Sequence, residues 1–520
     1  MGKAAALPYH LQRAARTKRM QPSASPQKPS RLRKFFSRLL AGLSALYLLL
    51  LIPDPTGPAP VGAGRVPFAW NRQAFWSALE QEFVAARNSG HSAFTERIDT
   101  LFADSDRIIA AMDEKPIAPE AAAFDSLETN IFELAPLVAA CSEYLTNYIT
   151  LADRSRAVTK RQSEHWNFQS PAARERIYRM LYGTRMALEE VMLQADEGFP
   201  ELTRLNAEPS STPSFETHGV RLHSGDILIS RAGAPTSALI ARGNDFPGSY
   251  SHVALLYVDE KYGEASMIES HIECGVLTNS FEGYLQDKKL RILVLRLRAD
   301  LPAMKADPML PHRAAAAALN DSQHRHIPYD FAMDWRDPQK QFCSEVASAA
   351  YTSCDIHLWQ GTTFISDPVV NAWLASVGVR YFETQSPADL EYDPQLRVVG
   401  EWRDRTTLLK AHIDDAVTDA MLAAGKPGEG LPYQWWLLPF ARISKGWSLI
   451  LNQAGRAGPI PEGMSATEAL RISKYRHDHE AIAGLLLAQV GKFKQEKGYV
   501  PPYWELVRLA RDARHEAGFR

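Results

Sequence analysis

Two residues carry the first chemical signal in this chain. Cys343 lies in Phe342-Cys343-Ser344-Glu345-Val346, and His252 lies in Ser251-His252-Val253-Ala254-Leu255-Leu256-Tyr257-Val258. A thiol attacks as its thiolate, and an imidazole within reach is a group that can take its proton. Val346, Ala347, Ala350 and Tyr351 follow Cys343 at helical spacing, so the thiol is expected in the first turn of a helix. There the free N–H groups and the helix dipole favour negative charge. The expectation is a lowered thiol pKa, with the Cys343 amide available to an oxyanion. His252 opens a β-rich run in which His252, Ala254 and Leu256 share a face. The next run, Met267 to Ile272, carries Glu269 and His271 on one face. A neighbouring strand can therefore set Glu269 against the imidazole nitrogen turned away from the thiol, fixing tautomer and orientation. His271 is the rival for that third role. Taken alone, a cysteine opening an apolar helix is by type a small buried hydrophobe. It is the combination of thiol, imidazole and carboxylate that points to chemistry.

The elements that must position these residues follow a linker, Glu208 to Ser214, rich in Pro and Ser. Short β-rich runs come next: Asp226 to Ser230, His252 to Val258, Met267 to Ile272 and Arg291 to Leu297. Their short connections predict a small, largely antiparallel sheet. Helices are expected over Pro311 to Asn320 and from Cys343 to about Tyr351. Residues 68–207 are helical by pattern. Trp70, Ala74, Phe75, Ala78, Leu79 and Phe83 form one stripe, read as core packing without chemistry. Ser126 to Val158 predicts one long helix bent at Pro136. Ser170 with Pro171 predicts a helix start, running to about Glu197. Residues 405–520 return to helical character, with the apolar-aromatic stretch Leu431 to Phe440 read as packing on the preceding domain. Its alternatives are a membrane interface or the cover of an acyl pocket.

The chain has 520 residues, enough for more than one domain, with 45% hydrophobic and 23% charged residues. Lys and Arg number 58 against 60 Asp and Glu, so no global charge favours nucleic acid. There is no nucleotide-binding glycine pattern. The four cysteines, Cys141, Cys274, Cys343 and Cys354, have no CxxC spacing. No metal and no cofactor is expected. Residues 1–34 read as a disordered basic tail. Residues 35–52 carry an apolar run, Leu39 to Ile52, and 53–67 form a Pro/Gly linker. The Lys/Arg excess before the run predicts an uncleaved membrane anchor with the bulk of the chain extracytoplasmic. A cleaved signal and an ordinary helix of the folded protein are the alternatives.

Residues 215–404 also resemble a known family. The matching pieces, in order, are Ser224-Gly225-Asp226-Ile227-Leu228, Ser251-His252-Val253-Ala254, Met267-Ile268-Glu269-Ser270, Pro328-Tyr329-Asp330 and Phe342-Cys343-Ser344-Glu345-Val346. Ser386-Pro387-Ala388-Asp389-Leu390 trails them. Together they resemble the circularly permuted papain-fold amidases, relatives of NlpC-type cysteine hydrolases and of lecithin:retinol acyltransferases. In papain itself the cysteine precedes the histidine, so the order here implies a permuted chain. The resemblance implies an α+β fold: a permuted papain-like core flanked by N-terminal and C-terminal helical regions. It implies Cys343 as nucleophile, His252 as base, Glu269 as orienting residue and Tyr329 near the substrate. The implied activity is cleavage of an amide or ester bond through an acyl-thioester, on a lipid or N-acyl amide or a cell-wall peptide. The alternative is a non-catalytic envelope scaffold on a relic core.

Overall fold

A computed structural model describes residues 31–52, 54, 63–70, 72–90, 93–195, 199, 201–205 and 207–519. It divides into two compact units, residues 1–52 and 53–520. In the first, the described part is one helix, Arg31–Leu50, followed by a turn. The expected basic tail falls mostly outside the described residues, as does most of the 53–67 linker. The expected membrane anchor is overturned. Among the described residues no helix is long and apolar enough to cross a membrane. The reason is visible in the sequence of the helix. Arg31, Arg33, Lys34 and Arg38 occupy its first turns. The apolar remainder, Leu39 to Leu50, rises only about 18 Å, against a hydrocarbon core of about 30 Å. The expected extracytoplasmic placement rested on that anchor and goes with it.

The second unit is α+β. Its strands in chain order are β1 (Leu202–Arg204), β2 (Ser214–Thr217), β3 (Val220–His223), β4 (Ile227–Ala232), β5 (His252–Val258), β6 (Ala265–His271), β7 (Gly275–Ser280), β8 (Lys289–Leu297), β9 (Thr363–Phe364), β10 (Glu383–Thr384) and β11 (Leu396–Arg403). Seven form one sheet in the order β1-β11-β8-β4-β5-β6-β7, and every pairing in it is antiparallel. The four expected runs are its centre. β1, β7 and β11 extend it to seven strands, so the sheet is larger than expected.

Strand alternation sorts the two faces. Ile227, Ile229, Val253, Leu255, Ile268 and Leu293 pack with the helices Leu310–His324 and Cys343–Thr352. Leu228, Ala254, Leu256, Met267 and Val294 pack on the other side, against Phe281 and Tyr284. Gly225 holds the entry to β4 at φ +93°, where a Cβ would meet Pro311 at 2.3 Å. This lets the helix Leu310–His324 lie close on the strand.

The helical region before the sheet departs from expectation at one joint. The long helix is two helices, Ala122–Ala140 and Leu145–Ser163, broken at Cys141 rather than at Pro136. Pro136 stays inside the first helix, buried. After Ser170 the chain runs as Pro171–Tyr178, a π-helical segment Arg179–Gly183, and Thr184–Gln194. Ser170 precedes Pro171 as expected but makes no side-chain cap. Residues 196–198, where that helix was expected to stop, lie outside the described residues.

These helices meet the sheet through buried ion pairs. Arg156 bonds Glu401 of β11 and Glu391, each at 3.0 Å. Arg185 bonds Glu391 and, at 3.3 Å, Glu401. Glu189 receives both terminal nitrogens of Arg291 of β8, at 2.5 and 3.1 Å, and faces His412 at 2.9 Å. The side chains of Arg156, Arg185, Glu189, Arg291, Glu391 and Glu401 are all at most 2% exposed.

Downstream, the stretch Leu431 to Phe440 only partly packs as expected. Leu431 and Leu438 are buried, whereas Trp435, Trp436 and Phe440 are exposed.

Candidate functional site

His252 is the first residue of β5, and β6 pairs with β5 so that Glu269 stands across from Ala254. Residues directly opposite share a face, and His252 shares that of Ala254, two positions on. Its ring therefore meets the carboxylate on the diagonal. Nε2 of His252 lies 2.8 Å from Oε2 of Glu269. A carboxylate accepts, so Nε2 carries the proton and the neutral ring keeps a free lone pair on Nδ1. His271 reaches the same oxygen from the other side at 3.2 Å, but its Nε2 is not aligned for a hydrogen bond. Between the two candidates for the third role, Glu269 is the one bonded to His252. His271 flanks the carboxylate.

Cys343 is the first residue of the helix Cys343–Thr352, as its spacing predicts. Glu345 accepts a 2.6 Å hydrogen bond from the N–H of Phe342 and so closes the helix start. Val346, Ala347 and Ala350 press this helix onto the face of β5 that carries Val253 and Leu255. The thiol thus lodges at the mouth of β5, 3.9 Å from the carbonyl of Ser251, the residue before His252.

Tyr329 sits in the connection between the helices Leu310–His324 and Cys343–Thr352. Two hydrogen bonds moor that connection to β7 and β6, and a third, from Gln341 to Pro328, closes it on itself. Val276 N–H donates to Ile327 at 2.9 Å, Gln341 N–H to Pro328 at 3.0 Å, and Ser270 Oγ to the carbonyl of Gln341 at 2.6 Å. Gly275 makes this possible: at φ +77°, a Cβ there would meet the carbonyl oxygen of Ile327 at 2.1 Å. The Tyr329 phenol is held well above its ordinary pKa, first by burial and then by the Cys343 thiol and the Glu345 carboxyl. Tyr329, Cys343 and Glu345 therefore lie within electrostatic reach of one another.

The electrostatics correct one expectation. Burial pushes the Cys343 thiol up to about 11, outweighing the hydrogen bonds from Val253 and Ser344. The helix N-terminus does not win, because its amides act on a sulfur that is almost fully desolvated. Burial also lowers His252, against the pull of Glu269. Burial raises Glu269, but the hydrogen bond from His252 and then the pull of the His271 imidazole overcome this and hold it well below the usual carboxylate range. His271 is raised: burial lowers it, and its interaction with Glu269 prevails. Near neutral pH the resting site is therefore a neutral thiol, a neutral His252 and an ionised Glu269.

Sequence reasoning missed two contributors. Lys289, the first residue of β8, acts on both imidazoles and lowers them. Its ammonium is tied to Asp287 at 2.8 Å and lies 4.4 Å from the Tyr284 ring centre. A lysine opening a run rich in Leu, Ile and Val was the available signal. The second is the grouping of ligand atoms. One from each of His252, Glu269 and His271 lies within 4.8 Å of the others, close enough to share a cation. The expectation of no metal considered cysteine pairs and passed over this trio. Two of its contacts, at 2.8 and 3.2 Å on one oxygen, are of hydrogen-bond length. A zinc ion would need each ligand atom about 2.0–2.2 Å from one shared point. All four cysteines are free.

No curated protein and no solved structure matches the chain. Residues 221–400 match the model of the family described as permuted papain-like amidase enzyme, YaeF/YiiX, C92 family, hydrolases of the cysteine-peptidase type and the family that the ordered motifs resemble.

Proposed function

We propose that the chain is a cysteine amidase acting on an amide or ester bond through an acyl-thioester. Cys343 is the nucleophile, His252 the base and Glu269 the residue that orients it. The observation that carries this reading is the 2.8 Å bond between His252 Nε2 and Glu269 Oε2, with the thiol lodged beside the carbonyl of Ser251. Nδ1 of His252 takes the thiol proton as sulfur attacks the carbonyl carbon. The imidazolium then protonates the leaving amine or alkoxide, and water, deprotonated by the same nitrogen, cleaves the thioester. The ionised Glu269 stabilises the imidazolium that forms in both steps. The Cys343 amide, at the open start of its helix, and the Tyr329 hydroxyl are the donors for the oxyanion.

The test is turnover of an acyl ester and an acyl anilide, followed by intact-mass detection of the acyl-enzyme. Cys343→Ala is expected to abolish both turnover and the acyl adduct while retaining the wild-type melting temperature. His252→Ala is expected to lower kcat/KM roughly 10²–10⁴-fold. Full activity of Cys343→Ala, with loss of activity on chelation, would instead favour a cation held by His252, Glu269 and His271.

A further inference from the structure

A cavity of about 340 Å³ lies in the helical region, and none of Cys343, His252, Glu269, His271 or Tyr329 lines it. Its size falls within the roughly 300–1,000 Å³ of small-molecule sites. The stripe that the sequence offers as core packing is part of its wall: Trp70, Leu79 and Phe83 face the cavity, together with Trp76. Facing them, Ala135, Pro136 and Ala139 of the helix Ala122–Ala140 present small surfaces that leave the space open. A third wall runs from Tyr178 to Gln194, through the π-helical segment Arg179–Gly183. At 1.5 Å per residue this wall is about 24 Å long, so the cavity is elongated. The π turn brings Gly183 against Trp70, where a Cβ would come within 2.4 Å of the indole. Single π turns inside α-helices occur frequently at functional sites. Tyr503 and Trp504 of the last helix complete the lining, and the cavity opens to solvent.

The polar groups in the wall define what fits. Arg242 is neutralised by Asp419, through bonds of 2.9 and 2.8 Å. Glu80 accepts from the Trp504 indole at 2.8 Å, and Glu190 accepts from the Tyr503 N–H at 3.0 Å. Two carboxyl groups and a spent guanidinium disfavour an anion.

We propose that this cavity is a binding site for an uncharged, long-chain amphiphile, its hydrocarbon chain along the aromatic walls. The site is separate from the catalytic residues, and the proposal does not depend on their chemistry. The experiment titrates the full-length Cys343→Ala protein with three probes of equal chain length, each below its micellar concentration: N-dodecylacetamide, dodecanoate and dodecyltrimethylammonium. Binding is read by tryptophan fluorescence, since Trp70, Trp76 and Trp504 line the wall, and by calorimetry. The expected result is saturable 1:1 binding of the amide, at least tenfold tighter than either charged probe. Filling the space with Ala139→Phe, and independently with Ala135→Leu, is expected to abolish binding. In the Cys343 background both are expected to leave turnover of a short acyl ester unchanged. Absence of saturable amide binding would overturn the proposal, as would undiminished binding in whichever filled variant folds. Tighter binding of the ammonium probe would instead make the cavity an aromatic cage for cations, and tighter binding of dodecanoate would make it a fatty-acid site; either also overturns it.

Discussion

At the residue scale, the chemistry turns on where two protons reside. Strand alternation put Glu269 and His271 on one face within reach of His252 and left both open for the third role; the choice of Glu269 was implied by the family resemblance. The state of the thiol was not legible, because spacing places Cys343 in a helix's first turn but says nothing of how deeply the turn is buried. At 6% exposure, desolvation decides. Two consequences are measurable. Iodoacetamide labelling of Cys343 is expected to rise only toward pH 11, where burial has moved the thiol, and not near the 8.5 of a free thiol. The acid limb of kcat/KM behaves in the opposite sense. His252 must be neutral to act, and its pKa is lowered by burial, so activity is expected to fall only as pH drops below about 6.5, the ordinary histidine value. No descending limb is expected at pH 8–9, because no thiolate–imidazolium pair exists there to be lost. A profile with half-maximal activity above pH 7 would count against this assignment. Glu269→Gln tests the tautomer. An amide can donate to Nε2 and leave the proton on Nδ1, the wrong nitrogen, and a loss of up to about 10⁴-fold in kcat is expected from such a swap.

At the element scale, β5 was legible to the residue, His252 to Val258, because a β-branched and aliphatic run is bounded by polar sequence. The helix that opens at Cys343 was legible from the helical spacing of Val346, Ala347, Ala350 and Tyr351. β7 and β11 were not. Gly275-Val276-Leu277-Thr278-Asn279-Ser280 mixes polar and apolar residues, with burial only at its start, and reads as loop. The break at Cys141 was missed because proline is the stronger local signal. Yet Pro136 stays inside its helix, and the break comes beyond it, at Cys141. β7 matters to the site more than its sequence suggests, since Gly275 sets the approach of the segment that carries Tyr329. Gly275→Ala forces a side chain onto a carbonyl and onto a positive φ. Strain of this kind costs on the order of 1–3 kcal/mol. The expected outcome is a lower melting temperature together with a fall in kcat, since Tyr329 and the start of the Cys343 helix must shift. Unchanged kcat in a destabilised but folded variant would detach Tyr329 from turnover.

At the scale of the whole unit, the helical region and the sheet are joined by charges that lie far apart in the chain. Arg156 and Arg185 meet Glu391 and Glu401, more than 200 residues away. No local pattern announces such a pairing. In sequence these residues look like the solvated faces of helices and the polar side of a strand. Buried ion pairs of this kind hold a unique arrangement, and removing one partner costs about 3–5 kcal/mol because the other is left unpaired. The pH dependence of folding should record them. Glu189 is buried and would be raised by that alone, but Arg291 and His412 bring it to about 2, against 4.5 unfolded. A group depressed in the folded state contributes stability that is complete above 4.5 and is lost as pH falls from 4.5 toward 2. Glu401 is lowered in the same sense. His479, lowered to about 4 by burial, adds a loss between 6.5 and 4. Burial acts oppositely on Glu190 and Glu345, raised to about 7 and 9, which gain stability on acidification until they are protonated in the unfolded chain too, near 4.5. Above pH 4.5 the contributions oppose one another, and below it those that remain are losses. Chemical denaturation is therefore expected to show a shallow pH dependence from 7 to 5 and a steep one beneath 4.5. Glu189→Gln is expected to lower stability at pH 7 by several kcal/mol and to flatten the steep limb, since the proton it would have taken up is already in place. A steep limb of undiminished slope in that variant would mean that acid unfolding begins elsewhere than at the joint between helices and sheet.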